Sequence, residues 1–276
     1  MANENEQEEY AYNLINGRNI FKNHQMLPNN IRGIICGPSN CGKTTLLFRL
    51  LLKNYIEYDR LYIFSNSLNQ IEYKLLIKGF KKHLQPAHID ELFKNAVEIS
   101  DMSLDDIINA IVEAAEKAHP DGSWKSPIEI FEYTDINELP NTNAIDDTKR
   151  NLFIFDDCIE DPHQTPIQSF FSRGRHKSCQ CIYLTQSYFK LDRQLIRNNA
   201  NLLILFEISD RDVRTIYSDF VSSTISSCDV FLRFCKYVWR KQDYNFLIID
   251  IFNRDVGKRN RSGFTNETFK VKEVID

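Results

Sequence analysis

One segment of the 276-residue sequence stands out for its chemistry: Gly37-Pro38-Ser39-Asn40-Cys41-Gly42-Lys43-Thr44, followed by Thr45. It fits the G-x-x-x-x-G-K-[ST] pattern of a loop that wraps a phosphate chain. The spacing follows from the task. Backbone N–H groups must converge on an anion, which needs a tight turn with glycines at its sharpest points. The Lys43 ammonium can then reach the terminal phosphates of a nucleotide such as ATP. The Thr44 hydroxyl is a hard oxygen donor suited to Mg2+, and a helix starting here turns its positive end toward the anion.

Two further constellations complement the loop. Leu152-Phe153-Ile154-Phe155 is an apolar run ending in Asp156-Asp157. A carboxylate where a buried strand surfaces suits a hard divalent cation, a role assigned to Asp156. A second acid directly after it suits activation of an attacking water, a role assigned to Asp157. That pair favours hydrolysis over transfer to a substrate hydroxyl. Cys181-Ile182-Tyr183-Leu184 ends in Thr185-Gln186, where an amide can hydrogen-bond a phosphate or the attacking water. Ahead of it runs Ser172-Arg173-Gly174-Arg175-His176-Lys177, a compact cationic stretch. Such a stretch can stabilise transition-state charge, touch a nucleic-acid backbone, or simply be a solvated basic loop.

These residues need a frame, and the patterning supplies one. Arg32–Cys36 reads as a buried strand ahead of the loop. Leu46, Leu47, Leu50 and Leu51 mark a helix over 43–54. Further strands are expected at 61–64, 128–133, 152–155, 181–184, 202–206 and 246–251. Helices are expected at 69–82, around 104–112 with Asp101 or Ser103 as cap, 164–173, 191–199, 210–219 and 222–240. Apolar runs alternating with amphipathic ones predict an α/β fold with a mainly parallel central sheet flanked by helices. Residues 1–30 read as a polar N-terminal arm, 31–252 as a P-loop ATPase domain, and 253–276 as a basic, mobile or partner-bound tail.

The net charge of −4 hides an asymmetry. Residues 90–149 carry 15 acids and 4 lysines, so the insert at 83–149 reads as an acidic lobe on a mildly basic body. With 42% hydrophobic, 26% charged and 12% aromatic residues, the composition is that of a globular protein. Fibrous and collagen-like classes are excluded. No apolar run is long enough for a membrane span, and the polar, acidic first residues do not read as a secretory leader. Seven irregularly spaced cysteines suit a reducing compartment.

Together, the phosphate loop, the acid pair, the Gln-ended strand and the cationic stretch resemble the FtsK–HerA superfamily of ring-forming ATPases, in particular the DNA-packaging ATPases of poxvirus-like and Polinton-type viruses and virophages. The resemblance spans about residues 31–251 and is most specific from Arg173 to Phe206, where Thr185-Gln186 ends a strand and Ile196-Arg197-Asn198 precedes the next. It implies a RecA-like fold in which Lys43 and Thr44 bind ATP and Mg2+, Asp156 is the metal acid, Asp157 the catalytic acid and Gln186 the sensor. It also implies a trans-acting arginine, Arg175 in preference to Arg173, because Arg175 lies 11 residues before Gln186. The implied assembly is a homo-oligomeric ring, pentamer or hexamer, threading double-stranded DNA without sequence preference, with a capsid protein as a further partner. Its place would be intracellular, in host cytoplasm, viral factory, nucleus or virion. Arg173, Lys190, Arg193 and Arg197, with Arg211 and Arg214, are the candidate DNA or interface contacts. Cellular members carry Asp-Glu where this chain has Asp156-Asp157, and the acidic insert has no counterpart. Alternatives are a HerA-like translocase or helicase in repair or segregation, a P-loop nucleoside or nucleotide kinase, and a nucleotide-dependent adaptor without turnover.

Overall fold

The computed structural model describes residues 21–95 and 103–265. Its strands are β1 (Arg32–Cys36), β2 (Arg60–Ser65), β3 (Glu129–Tyr133), β4 (Asn151–Asp156), β5 (Cys179–Thr185), β6 (Leu202–Leu205), β7 (Leu247–Asp250) and β8 (Asn260–Ser262). Its helices are α1 (Lys43–Leu52), α2 (Ile71–Lys81), α3 (Pro86–Asn95), α4 (Leu104–Ala118), α5 (Thr165–Arg173), α6 (Asp210–Ile216) and α7 (Cys228–Trp239). They build one mixed sheet in the order β3-β2-β4-β5-β1-β6-β7-β8. The pairs from β3 through β6 are parallel, and β7 and β8 pair antiparallel at one edge.

The strands read as continuous apolar runs because both faces are covered, yet their residues divide by alternation. One set (Ile34, Phe153, Phe155, Tyr183, Leu203) packs under α5, α6 and α7. The other (Ile35, Ile154, Ile182, Leu184, Ile204) packs under α1 through α4. The first face is aromatic. Phe153 stacks on Tyr62 and Phe170 with ring centroids 4.3 and 4.0 Å apart, beyond what area burial alone contributes. The second face takes the leucine stripe of α1, where Leu47, Leu50 and Leu51 are fully buried.

Several sequence expectations are corrected. The basic helix expected over 191–199 is a series of turns ending in a 3₁₀ turn at Arg197–Asn199. There the Asp192 carbonyl accepts both the Ile196 and Arg197 N–H groups, and Asn199 folds back onto Gln194 and Leu195 carbonyls. The helix expected from 222 starts at Cys228, capped by Ser227, while 217–221 widens the end of α6 into a π turn. Of the polar arm, residues 21–30 pack on the domain: Phe21, Met26 and Leu27 are buried. The basic tail contributes β8, and its buried Arg261 donates to the Met26 carbonyl. The insert supplies α3, which patterning missed, α4, capped by Ser103, and β3, which extends the sheet beside β2. The alternative cap, Asp101, lies outside the described residues. No described helix is long and apolar enough to cross a membrane.

Gln180 shows why residues 21–30 are ordered against the sheet. Fully buried in β5, it accepts from the Ile31 N–H (2.8 Å) and the Asn23 amide (2.6 Å) and donates to the Glu57 carbonyl (3.2 Å). Gln180→Leu strips partners from buried donors, so the unfolding free energy in urea should fall by about 2 kcal/mol, with an unchanged denaturant slope. An unchanged midpoint would refute this account of the contact.

Candidate phosphate-binding and acid-pair site

The loop after β1 is fixed at its base and has no room to spare. The Gly37 N–H donates to the Thr185 carbonyl (3.1 Å). A Cβ on Gly37 would stand 2.6 Å from Cys41 Sγ and 2.7 Å from Phe206 Cβ, so no side chain fits there. Gly42 adopts φ +99° and caps α1, which glycine alone reaches cheaply. Asn40 is left-handed as well, at φ 61°. The Lys43 ammonium donates to the Gly37 and Pro38 carbonyls, each at 2.8 Å, and so spans the loop it belongs to. The first turn of α1 carries no acid that would compete for an anion.

The two acids are treated oppositely. Asp156 ends β4 at 7% exposure and accepts from the Tyr73 hydroxyl of α2 at 2.5 Å. Burial pushes its pKa above the ordinary carboxylate range. Tyr73 and Lys43 pull it down, and Asp157 adds to the rise. Asp157 is exposed and left-handed at φ 54°, a conformation that short polar side chains tolerate. Its carboxylate accepts from the Ser67 hydroxyl (2.9 Å), and its carbonyl accepts from the Asn66 amide (3.1 Å). The reversed backbone turn separates a buried acid from an exposed one at consecutive positions.

Gln186 emerges where β5 ends. The Thr185 hydroxyl accepts from the Ser187 N–H (3.2 Å) and donates to its carbonyl (3.1 Å), a local turn that leaves Gln186 exposed. Lys43, Thr44, Asp156, Asp157 and Gln186 thus line one cleft of about 920 Å³ at the C-terminal edge of the parallel strands. Ser39, Asn40, Gly42 and Thr45 line it too. This is the edge where open α/β sheets bind ligands.

Three residues in or directly behind this cleft escaped sequence reasoning. Tyr73 and Ser67, which hold the acids, look like ordinary helix and turn residues in the sequence. Tyr244 forms the far wall with Phe206 and Phe246. It is 73% exposed, left-handed at φ 57°, and its Cδ1 lies 3.8 Å from where a Gly42 Cβ would be. A bulky aromatic held at positive φ in the open is the kind of outlier that marks a functional position.

The cationic stretch lies elsewhere. Arg175 sits in the 3₁₀ turn Gly174–Lys177, ahead of β5, so about 20 Å of strand separate it from Gln186. It is exposed, donates to His176 Nε2 (3.3 Å), and lies near the start of β1, where its charge adds to the effect of burial in lowering the Arg32 pKa. Arg173 is exposed at the end of α5. Lys190 pairs with Glu160 at 2.7 Å, both exposed. Arg197, expected as an outward contact, is instead a buried guanidinium. It donates to Asp219 (3.1 Å) and lies over the Tyr188 ring, because a buried carboxylate needs a cationic partner.

Parallel strands with β5 between the phosphate-loop strand and the acid strand, a glycine loop feeding α1, and two acids beside it make this a P-loop NTPase fold. No protein-family model and no curated protein sequence matches the chain. Among solved structures it is similar to the genome packaging NTPase B204 from Sulfolobus turreted icosahedral virus 2 in complex with ATP-gammaS, with a TM-score of 0.47, 16% identity, and coverage of 85% of this chain and 96% of that one. It is also similar to the B204 complex with AMPPCP (TM-score 0.48, 15% identity, 85% and 96%). A third similar structure is VirB4 of Thermoanaerobacter pseudethanolicus (TM-score 0.41, 14% identity, 80% and 87%).

The raised Asp156 pKa has a direct consequence. The folded carboxyl keeps its proton to higher pH than the unfolded one. Stability therefore falls as pH rises above the ordinary Asp value of 3.8 through the folded value. Asp156→Asn removes that cost. In magnesium-free buffer the variant should melt higher than wild type at neutral pH, and the difference should vanish below pH 3.8. A variant melting lower at neutral pH would contradict the assigned cause.

Proposed function

We propose that this chain is an ATP-hydrolysing motor that translocates double-stranded DNA, and that it drives a viral genome into a preformed capsid. The observation that carries the ATPase reading is the convergence of Lys43 and Thr44 with Asp156, Asp157 and Gln186 in one cleft. The DNA reading rests on the resemblance carried by residues 173–206 and on a body that is basic outside its insert.

The residues present fit Mg2+. Thr44 and Asp156 are hard oxygen donors on one cleft, and Mg2+ takes one or two carboxylates while phosphates and waters fill the rest. When bound, the ion neutralises charge developing on the phosphates. The chain's own groups supply the remaining chemistry. Lys43 exchanges the Gly37 and Pro38 carbonyls for phosphate oxygens. Asp157, aimed by Ser67, accepts the proton of the attacking water, and Gln186 orients that water or the phosphate it attacks. The Tyr244 ring provides a face for the base. Because Arg175 is at the far edge of its own sheet, an arginine finger can reach a cleft only from a second copy, as a homo-oligomeric ring provides.

The test is steady-state ATP hydrolysis with and without long duplex DNA. DNA should stimulate turnover, and Lys43→Ala, Asp157→Asn and Arg175→Ala should each lower it by roughly 10³-fold. Mixing Arg175→Ala with Asp157→Asn should restore part of it, since some clefts then pair an intact acid with an intact arginine. Turnover indifferent to DNA, or no restoration on mixing, would contradict the motor. Tyr244→Ala should weaken ATP binding about tenfold while leaving inorganic tripolyphosphate binding unchanged. Equal weakening of both would show that the ring shapes the loop and does not face the base.

A further inference from the structure

The segment that leaves β5 is held at three consecutive positions by one helix. Ser187, Tyr188 and Phe189 each donate to a carboxylate of α6 or of the π turn that extends it. Asp212, in the first turn of α6 and 4% exposed, accepts on Oδ1 from the Phe189 N–H (2.7 Å) and the Ser187 hydroxyl (3.1 Å). Asp219, whose side chain is buried in the π turn, accepts from the Tyr188 hydroxyl (3.1 Å). Gln186, the residue before these three, is exposed and lines the nucleotide cleft. On its other side the Thr185 carbonyl accepts from the Gly37 N–H (3.1 Å). Gln186 is thus suspended between two anchors, the phosphate loop and α6.

Capping α6 does not account for this arrangement. Ser209 caps the helix with its hydroxyl, which accepts from the Asp212 N–H (3.2 Å) and donates to Asp212 Oδ2 (2.6 Å). That exchange occupies one carboxylate oxygen. The other reaches across to the turn at the end of β5. Bonds to an ionised acceptor are about twice as strong as neutral ones, and stripping donors from a buried carboxylate is costly. Turn and helix therefore move as one, and a shift of α6 is a shift of Gln186.

We infer that Asp212 is a positioning residue for hydrolysis: its Oδ1 clamps the turn that carries Gln186 to the start of α6 and so sets where the Gln186 amide stands over the phosphate loop. The inference rests on the reading of Gln186 as a group that orients the attacking water or the phosphate.

The test is a double-mutant cycle in steady-state ATP hydrolysis by the full chain, with kcat and KM separated. Gln186→Ala and Asp212→Ala should each lower kcat by about 10²-fold, the cost of misplacing a reacting group by about 1 Å, with KM for ATP unchanged. The double variant should be no slower than Gln186→Ala, because nothing is left to position. Asp212→Asn keeps an oxygen for both Ser187 and Phe189 and should retain most of kcat. If Asp212→Ala does not fold, Ser187→Ala, which removes a single donor, should lower kcat about tenfold and have no effect in the Gln186→Ala background. Losses that multiply in the double variant, a wild-type kcat in Asp212→Ala, or a change confined to KM would overturn the inference and leave Asp212 a helix-cap residue. Loss in Asp212→Asn equal to that in Asp212→Ala would also overturn it, since the clamp would then be intact and idle. If Gln186→Ala turns over as fast as wild type, the parent reading of Gln186 fails and the inference falls with it.

Discussion

The chemistry of this molecule hangs on strand register. β1 lies between β5 and β6, with Cys36 opposite Thr185 and Leu205. The next residue, Gly37, donates its N–H to the Thr185 carbonyl and leaves the sheet. That register sets the phosphate loop beside Gln186. The pairing of β5 with β4, Leu184 opposite Asp156, sets the acid pair one strand further on. Side chains alternate with period two, so a slip of one residue in the β4–β5 pairing would turn Asp156 to the other face, and a slip in either pairing would bury the wrong set against the helices. The apolar residues of both faces thus enforce the register, and the register aligns the polar residues at the strand ends.

The cleft holds conformations that packing alone would not choose. Asp156 is buried with its charge disfavoured, Asp157 and Tyr244 adopt left-handed backbone, and Gly37 stands where no side chain fits. Costs of this kind persist only when the surroundings over-determine them. Here the surroundings are the stacked rings of Tyr62, Phe153 and Phe170 on one face and the buried leucines of α1 on the other. Tyr73 ties the second of these faces to the cleft: its ring packs edge-on against Phe48, and its hydroxyl holds Asp156. It couples the helical layer to the buried acid.

What was legible in the sequence was local in sequence. The phosphate loop, the acid pair and the Gln-ended strand are short segments whose residue types follow from backbone geometry and metal chemistry, and the strands carrying them are dense apolar runs. What was illegible depends on distant partners. β8 is three polar residues that form a strand only because β7 offers an edge. α3 has a stripe of little more than Ile89, Leu92 and Phe93, and its seat under α2 depends on the small Gly79, where a Cβ would meet Ile89 at 2.8 Å. Arg197 reads as a surface charge until Asp219, 22 residues on, is found beneath it. Tyr244 carries no pattern at all, since its place is set by a turn between α7 and β7.

The central claim is that the buried and the exposed acid have divided roles at one nucleotide. Calorimetric titration of ATP-gammaS with and without magnesium tests it most directly, on wild type, Asp156→Asn and Asp157→Asn. The account predicts that magnesium tightens binding to wild type and to Asp157→Asn, and that Asp156→Asn loses the tightening while still binding the nucleotide. Equal loss in both variants, or magnesium-dependent tightening retained in Asp156→Asn, would contradict it.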